Sequence, residues 1–233
     1  MPADSTQQPL ADRVVLVTGA AEGIGRAVAL AAAAQGATLV LCDHPDADLA
    51  AVYDAIEAAG GAEPAILPLN LDTADERAAR TAADLVGETF GRLDALVHCA
   101  AFAPYLARID DYEASEWERV LRINLTAPFL LTQSCLPLLR ASRDAVVIFT
   151  ADRVSRTGLA YWGAFAAAKF GLEGLAQVLA QETAGNSAIR VASLDPGILR
   201  TGLRSRLYPG EDPFSLPSAD TAAPAYLQLL RCS

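Results

Sequence analysis

A chain of 233 residues, 52% of them hydrophobic, is long enough for one sizeable α/β domain around a real core and short for two. Its formal net charge of -10, from 28 acidic against 18 basic residues, argues against a nucleic-acid or anionic-membrane partner, because phosphate surfaces attract clustered cations.

Residues 1–12 are polar, carry Pro2 and Pro9, and read as a flexible segment leading into a single domain over 13–233. They contain no signal peptide or membrane span, so the chain reads as cytoplasmic. Val14 to Val17 form a β-branched apolar run that stops at Thr18-Gly19-Ala20-Ala21-Glu22-Gly23-Ile24-Gly25 and passes into an alanine-rich amphipathic stretch. This is a buried parallel strand, a tight turn and a helix. Gly19 permits the turn, Gly23 lets a pyrophosphate approach the backbone, and Gly25 lets the helix pack closely on its strand. The helix N-terminus then offers free N–H groups to phosphate.

Ala37 to Cys42 is a second strand running into Asp43, placed where a dinucleotide fold presents a carboxylate to the adenosine ribose. Asp43 and Glu22 would both repel a 2'-phosphate, so NAD(H) is expected to bind in preference to NADP(H). The alternation then continues: helix 47–59, strand 65–69, helix 73–90 with Thr73 and Glu76 spaced as a capping box, and strand 93–99. A long helical pattern over 113–139 should bend or restart at Pro128. Strand 144–150, helix 162–182 and strand 189–194 follow, then a Pro-, Gly- and Arg-rich loop over 198–218 of the kind that covers a site, and a last helix over 219–230. The whole reads as a doubly wound Rossmann-type parallel sheet of six strands with helices on both faces.

Cys42, Cys99, Cys135 and Cys232 have no C-x-x-C spacing and read as small apolar residues in a reducing compartment, so no metal site is expected. Lys169 stands out among 18 basic residues as the only lysine. A position that departs from uniform arginine points to a need for an ammonium.

Asn124 within Arg122-Ile123-Asn124-Leu125, Gly163-Ala164-Phe165-Ala166-Ala167-Ala168-Lys169 at the start of the helix after the fifth strand, and Asp195-Pro196-Gly197 with Thr201 four residues later arrive in order behind the glycine turn. In these motifs the chain resembles the short-chain dehydrogenase/reductase family over roughly residues 13–230. The resemblance implies a dinucleotide held by Thr18, Gly19, Gly23, Ile24, Gly25, Asp43, Asn70, Leu71, Ala100, Lys169, Pro196, Gly197 and Thr201. It also implies a homodimer or higher homo-oligomer through the two long helices, and a small-molecule substrate that the sequence does not name.

The departures fall on the chemistry. Phe165 stands where the family carries its catalytic tyrosine, Asp152 where it carries its serine, and His98-Cys99-Ala100-Ala101 where it has Asn-Asn-Ala-Gly. A phenol passes the proton that accompanies hydride transfer, and a phenyl ring has none to pass; such acid–base catalysis is worth about 10² to 10⁴ in rate. A carboxylate at 152 would also oppose a developing alkoxide. Lys169, Asn124 and Asp152 remain the candidate polar groups, and Tyr161, one helical turn before Phe165, is a candidate replacement acid. The preferred reading is a dinucleotide-binding protein whose carbonyl/alcohol chemistry is impaired. The alternatives are an active oxidoreductase using Asp152, Tyr161 or water, and a ligand-free dimeric interaction protein.

Overall fold

The computed structural model describes residues 8–185 and 188–231. Six strands form one parallel sheet: β1 (Val14–Thr18), β2 (Thr38–Asp43), β3 (Ala65–Pro68), β4 (Ala95–His98), β5 (Ala145–Thr150) and β6 (Ile189–Leu194). Their spatial order is β3-β2-β1-β4-β5-β6. The chain moves outward from β1 to β3, returns to β4 and moves outward again, so the order reverses between β1 and β4. A crevice opens at such a reversal, beyond the carboxyl ends of the strands.

Helices cover both faces: α1 (Gly23–Ala33), α2 (Leu49–Ala58) and α8 (Ala223–Leu230) on one, α3 (Glu76–Phe90), α5 (Ala127–Arg140) and α6 (Gly163–Thr183) on the other. Alternate residues of a strand face opposite ways. Val15 and Val17 therefore pack with Val28, Ile56 and Tyr226, while Val14 and Leu16 pack with Val86, Leu131 and Leu172. Burial on both faces is why the central strands read as continuous apolar runs.

Several local expectations change. Residues 1–7 of the expected flexible segment lie outside the described residues, and 8–12 form a turn in which Leu10 is buried and its N–H donates to Gln35 O at 3.0 Å. The helix expected from Thr73 begins at Glu76, because the Thr73 and Ala74 amides turn back to Asn70 O and Asp75 becomes the cap, accepting from Ala78 N at 2.8 Å. The long helix is divided into α4 (Ala114–Leu121) and α5 by a π-helical turn, Arg122–Thr126. Pro128 sits in the first turn of α5, directly after that wider turn, so the helix restarts where the proline falls. The loop over 198–218 contains a short helix, α7 (Gly202–Leu207), capped by Thr201. Cys42 and Cys135 are buried and free, and burial raises the Cys135 thiol to about 12; Cys232 lies outside the described residues. No described helix is long and apolar enough to cross a membrane.

Candidate functional site

A cleft of about 570 Å³ opens beyond the carboxyl ends of the strands, within the range of about 300–1,000 Å³ usual for small-molecule sites. Its floor is the glycine turn. Gly19 has φ +68, and a Cβ there would lie 2.8 Å from the Ala100 backbone; a Cβ on Gly25 would overlap Gly19 O. Only a turn without these side chains lets α1 start this close to β1 and β4. Glu22 occupies the N-cap of α1 but its side chain makes no capping bond, leaving the first-turn N–H groups and the positive dipole end to the cleft. Pyrophosphate chemistry fits this cradle.

The cleft wall contains Gly19, Gly23, Ile24, Gly25, Asp43, Asn70, Leu71, Ala100, Lys169, Pro196, Gly197 and Thr201, together with Asp152 and Phe165. Three predicted residues lie off the wall. Thr18 is buried and accepts from Ala100 N at 3.2 Å, tying β1 to the loop after β4. Asn124 is 1% exposed and grips Phe102: its Oδ1 accepts from Phe102 N at 3.0 Å, and its Nδ2 donates to Phe102 O and Val120 O at 2.7 and 2.8 Å. Asn124 thus shapes the cleft through a neighbour. Tyr161, with φ +74 and 56% exposure, has its carbonyl bonded by Ala107 N, and its side chain does not line the cleft. It is badly placed to replace a phenol at 165.

Lys169 is 3% exposed, and its Nζ donates to Thr150 O at 2.8 Å. Thr150 is itself fixed from behind, its hydroxyl 2.8 Å from Tyr226 Oη on α8 and 3.5 Å from Cys99 Sγ. Phe165 is buried, tilted against Trp162 with ring centres 5.5 Å apart, and its own ring centre is 5.5 Å from Lys169 Nζ. Asp152 forms no ion pair with Lys169 within 4.0 Å; it caps a short turn, accepting from Val154 N at 3.0 Å while its own N–H donates to Ser155 Oγ. His98 is a core histidine, bonded to Thr132 at 2.9 Å and stacked on Phe149, and burial with the nearby Lys169 lowers it to about 3. No group of three or more His, Cys, Asp or Glu side chains among the described residues is placed to hold a metal ion.

Burial holds the Lys169 ammonium below its ordinary 10.5, at about 8, against the opposing pull of Asp152, Cys99 and Asp195. The folded lysine releases its proton near 8 and the unfolded one near 10.5, so the unfolded chain holds more protons between those values. Stability should therefore rise with pH across that window through this residue, and the rise should be absent from Lys169→Met. Urea midpoints on either side of the window test the sign.

Phe102, Trp162, Arg119, Arg153 and Arg206 also line the cleft, and no sequence motif marks them. The arginine content of the 198–218 loop was the available signal for Arg206.

Fold, switch point and glycine cradle define a Rossmann-type dinucleotide-binding domain. A family model for short chain dehydrogenases matches residues 13–212. The uncharacterized oxidoreductase YciK of Escherichia coli (strain K12) is 37% identical over 224 residues, covering 96% of this chain and 88% of its own. A short chain dehydrogenase structure from Shigella flexneri 2a strain 301, complexed with NADP, superposes with TM-score 0.94 at 36% identity, over 97% of this chain and 94% of that one. Another from Escherichia coli CFT073, complexed with NADPH, gives 0.93 at 36%, over 98% and 94%. The chain belongs to the short-chain dehydrogenase/reductase family.

These complexes overturn the expected preference for NAD(H), since the neighbours carry the phosphorylated dinucleotide. Both carboxylates expected to repel the 2'-phosphate have protein neighbours. Asp43 Oδ2 accepts from Ala21 N at 2.9 Å and Oδ1 from His44 N at 2.7 Å, and the Glu22 carboxylate is turned against Gly202 of α7.

Proposed function

We propose that this chain binds NADP(H) in the cleft and that its family-type carbonyl/alcohol chemistry is impaired at proton transfer. The single observation carrying the second half is Phe165: a buried ring, packed on Trp162, occupies the helix position four residues before Lys169. Bound dinucleotide would supply or accept hydride. The chain's own residues would cradle phosphate at the glycine turn and place Lys169 toward the reacting end. None of them puts a phenol beside the substrate oxygen. The engaged Asp43 and the adjacent cleft-lining His44 are compatible with a 2'-phosphate. Titration monitored by nicotinamide fluorescence tests the cofactor: NADPH should bind at least as tightly as NADH, and a clear preference for NADH would contradict the proposal.

A second reading, an active oxidoreductase that routes its proton through Asp152 or water, is favoured by the depressed ammonium of Lys169 and by the presence of Asp152 on the wall. Such an enzyme would lose turnover in Asp152→Asn. The same proposal includes a cytoplasmic setting and a homo-oligomer, the latter supported by exposed Phe129 on α5 and Phe170 and Val178 on α6.

A further inference from the structure

The cleft has an unusual charge inventory for so acidic a chain. Four arginines line it: Arg119, Arg153, Arg204 and Arg206. Two are already committed. Arg119 Nε lies 2.7 Å from Asp72 and its Nη1 3.7 Å from Glu116, while Arg204 makes a two-pronged pair with Glu211 at 2.7 and 2.8 Å and lies over Tyr208. Arg153 and Arg206 make no ion pair among the described residues.

Arg206 projects from α7 toward Phe102, with its guanidinium carbon 5.9 Å from the ring centre; Arg119 approaches the same ring at 4.2 Å. The charge of Arg119 is matched by Asp72 and Glu116, whereas the exposed guanidinium of Arg206 beside the same ring has no carboxylate partner among the described residues. Asp152 and Asp195 also line the cleft, but neither lies within 4.0 Å of Arg153 or Arg206; Asp152 accepts from Val154 N and Asp195 from Gly197 N. Next to these cations the wall is apolar: Trp162 and Phe165 pack together and Leu207 of α7 joins the same cluster.

An unpaired fork of donors beside an aromatic wall suits one kind of molecule. We propose that the cleft takes a small organic carboxylate beside the dinucleotide, its apolar body against Trp162 and Phe165 and its carboxylate anchored by Arg206, with Arg153 adding positive potential. This rests on the reading that dinucleotide occupies the glycine-turn end. An anionic group could also come from the dinucleotide's own phosphates, and the test separates the two sources.

Calorimetric titrations of benzoate, phenylacetate and the neutral isostere benzamide would be run on the intact protein, with and without NADPH. At least one carboxylate should bind about tenfold or more tightly than benzamide, and Arg206→Gln should remove about tenfold of that affinity. Arg206→Lys, which keeps the charge but loses the fork, should bind the carboxylate more tightly than Arg206→Gln and less tightly than the wild type. Arg153→Gln should give a smaller loss, and Arg80→Gln, on an exposed face of α3, none. NADPH affinity should stay within about twofold in Arg206→Gln. Equal binding of acid and amide, no binding of either acid, or indifference to Arg206→Gln would overturn the proposal. So would a parallel loss of NADPH affinity in Arg206→Gln, which would assign the arginine to the dinucleotide. If NADPH fails to bind the wild type while benzoate binding still depends on Arg206, the dinucleotide reading falls and the anion site stands.

Discussion

Asp152→Ser combined with Phe165→Tyr should raise the single-turnover rate of NADPH oxidation by small carbonyls about 10² to 10⁴-fold over the wild type. Phe165 already sits buried in the cleft wall, 5.5 Å by ring centre from Lys169 Nζ, so a phenol there would extend from a seat whose packing exists. Serine at 152 can keep the capping role that Asp152 plays toward Val154, since a hydroxyl is as good a cap as a carboxylate. It also removes a negative charge beside the place where alkoxide develops, and supplies a donor. Phe165→Tyr alone should gain much less, because Asp152 would remain. Diketones and quinones form a suitable panel, followed by loss of nicotinamide absorbance. A double variant that binds NADPH as the wild type does, yet gains nothing on a substrate that family members reduce, would show that proton transfer is not what limits the site.

Gly25→Ala should weaken NADPH binding about tenfold or more, and destabilise the fold by about 1–3 kcal/mol. The added methyl would overlap Gly19 O and lie 3.1 Å from Thr18 O, and both obstacles are backbone in the turn that forms the cradle. They cannot rotate away as a side chain could. Relief must come from shifting α1 off β1, which moves the same N–H groups that face phosphate. Gly174→Ala on α6 is the matched control, because nothing lies within 4 Å of its would-be Cβ. In a helix interior that change should be neutral or slightly stabilising. Thermal melts and fluorescence titrations of the two variants should diverge sharply, and equal behaviour would remove the steric account of the turn.

The sheet was legible because its signal is redundant. Val14 to Val17 and Ala145 to Thr150 are buried on both faces, so composition alone marks them, and the glycine turn fixes which helix follows which strand. The wall residues at the turn followed from the same register. What escaped depended on contacts between distant segments. Asn124 falls in a site motif, but its amide is spent on Phe102, 22 residues away, and on Val120. Helix α7 was hidden because six residues are too few for a periodic pattern, and its cap, Thr201, had been assigned to the cofactor. Asp43 shows the sharper limit: sequence places a carboxylate at the end of β2 but does not reveal that the Ala21 and His44 amides bond both of its oxygens. Tyr161 looked promising on a helical stripe that begins only at Gly163.

The most direct test is a rapid-mixing experiment on the wild-type protein already loaded with NADPH, in which nicotinamide fluorescence reports occupancy and absorbance reports hydride loss after diketones or quinones are added. The account predicts a saturable fluorescence change on loading and no oxidation above the rate of free NADPH. Rapid oxidation by the wild type, retained in Tyr161→Phe and abolished in Asp152→Asn, would contradict it and establish a working oxidoreductase that uses the carboxylate.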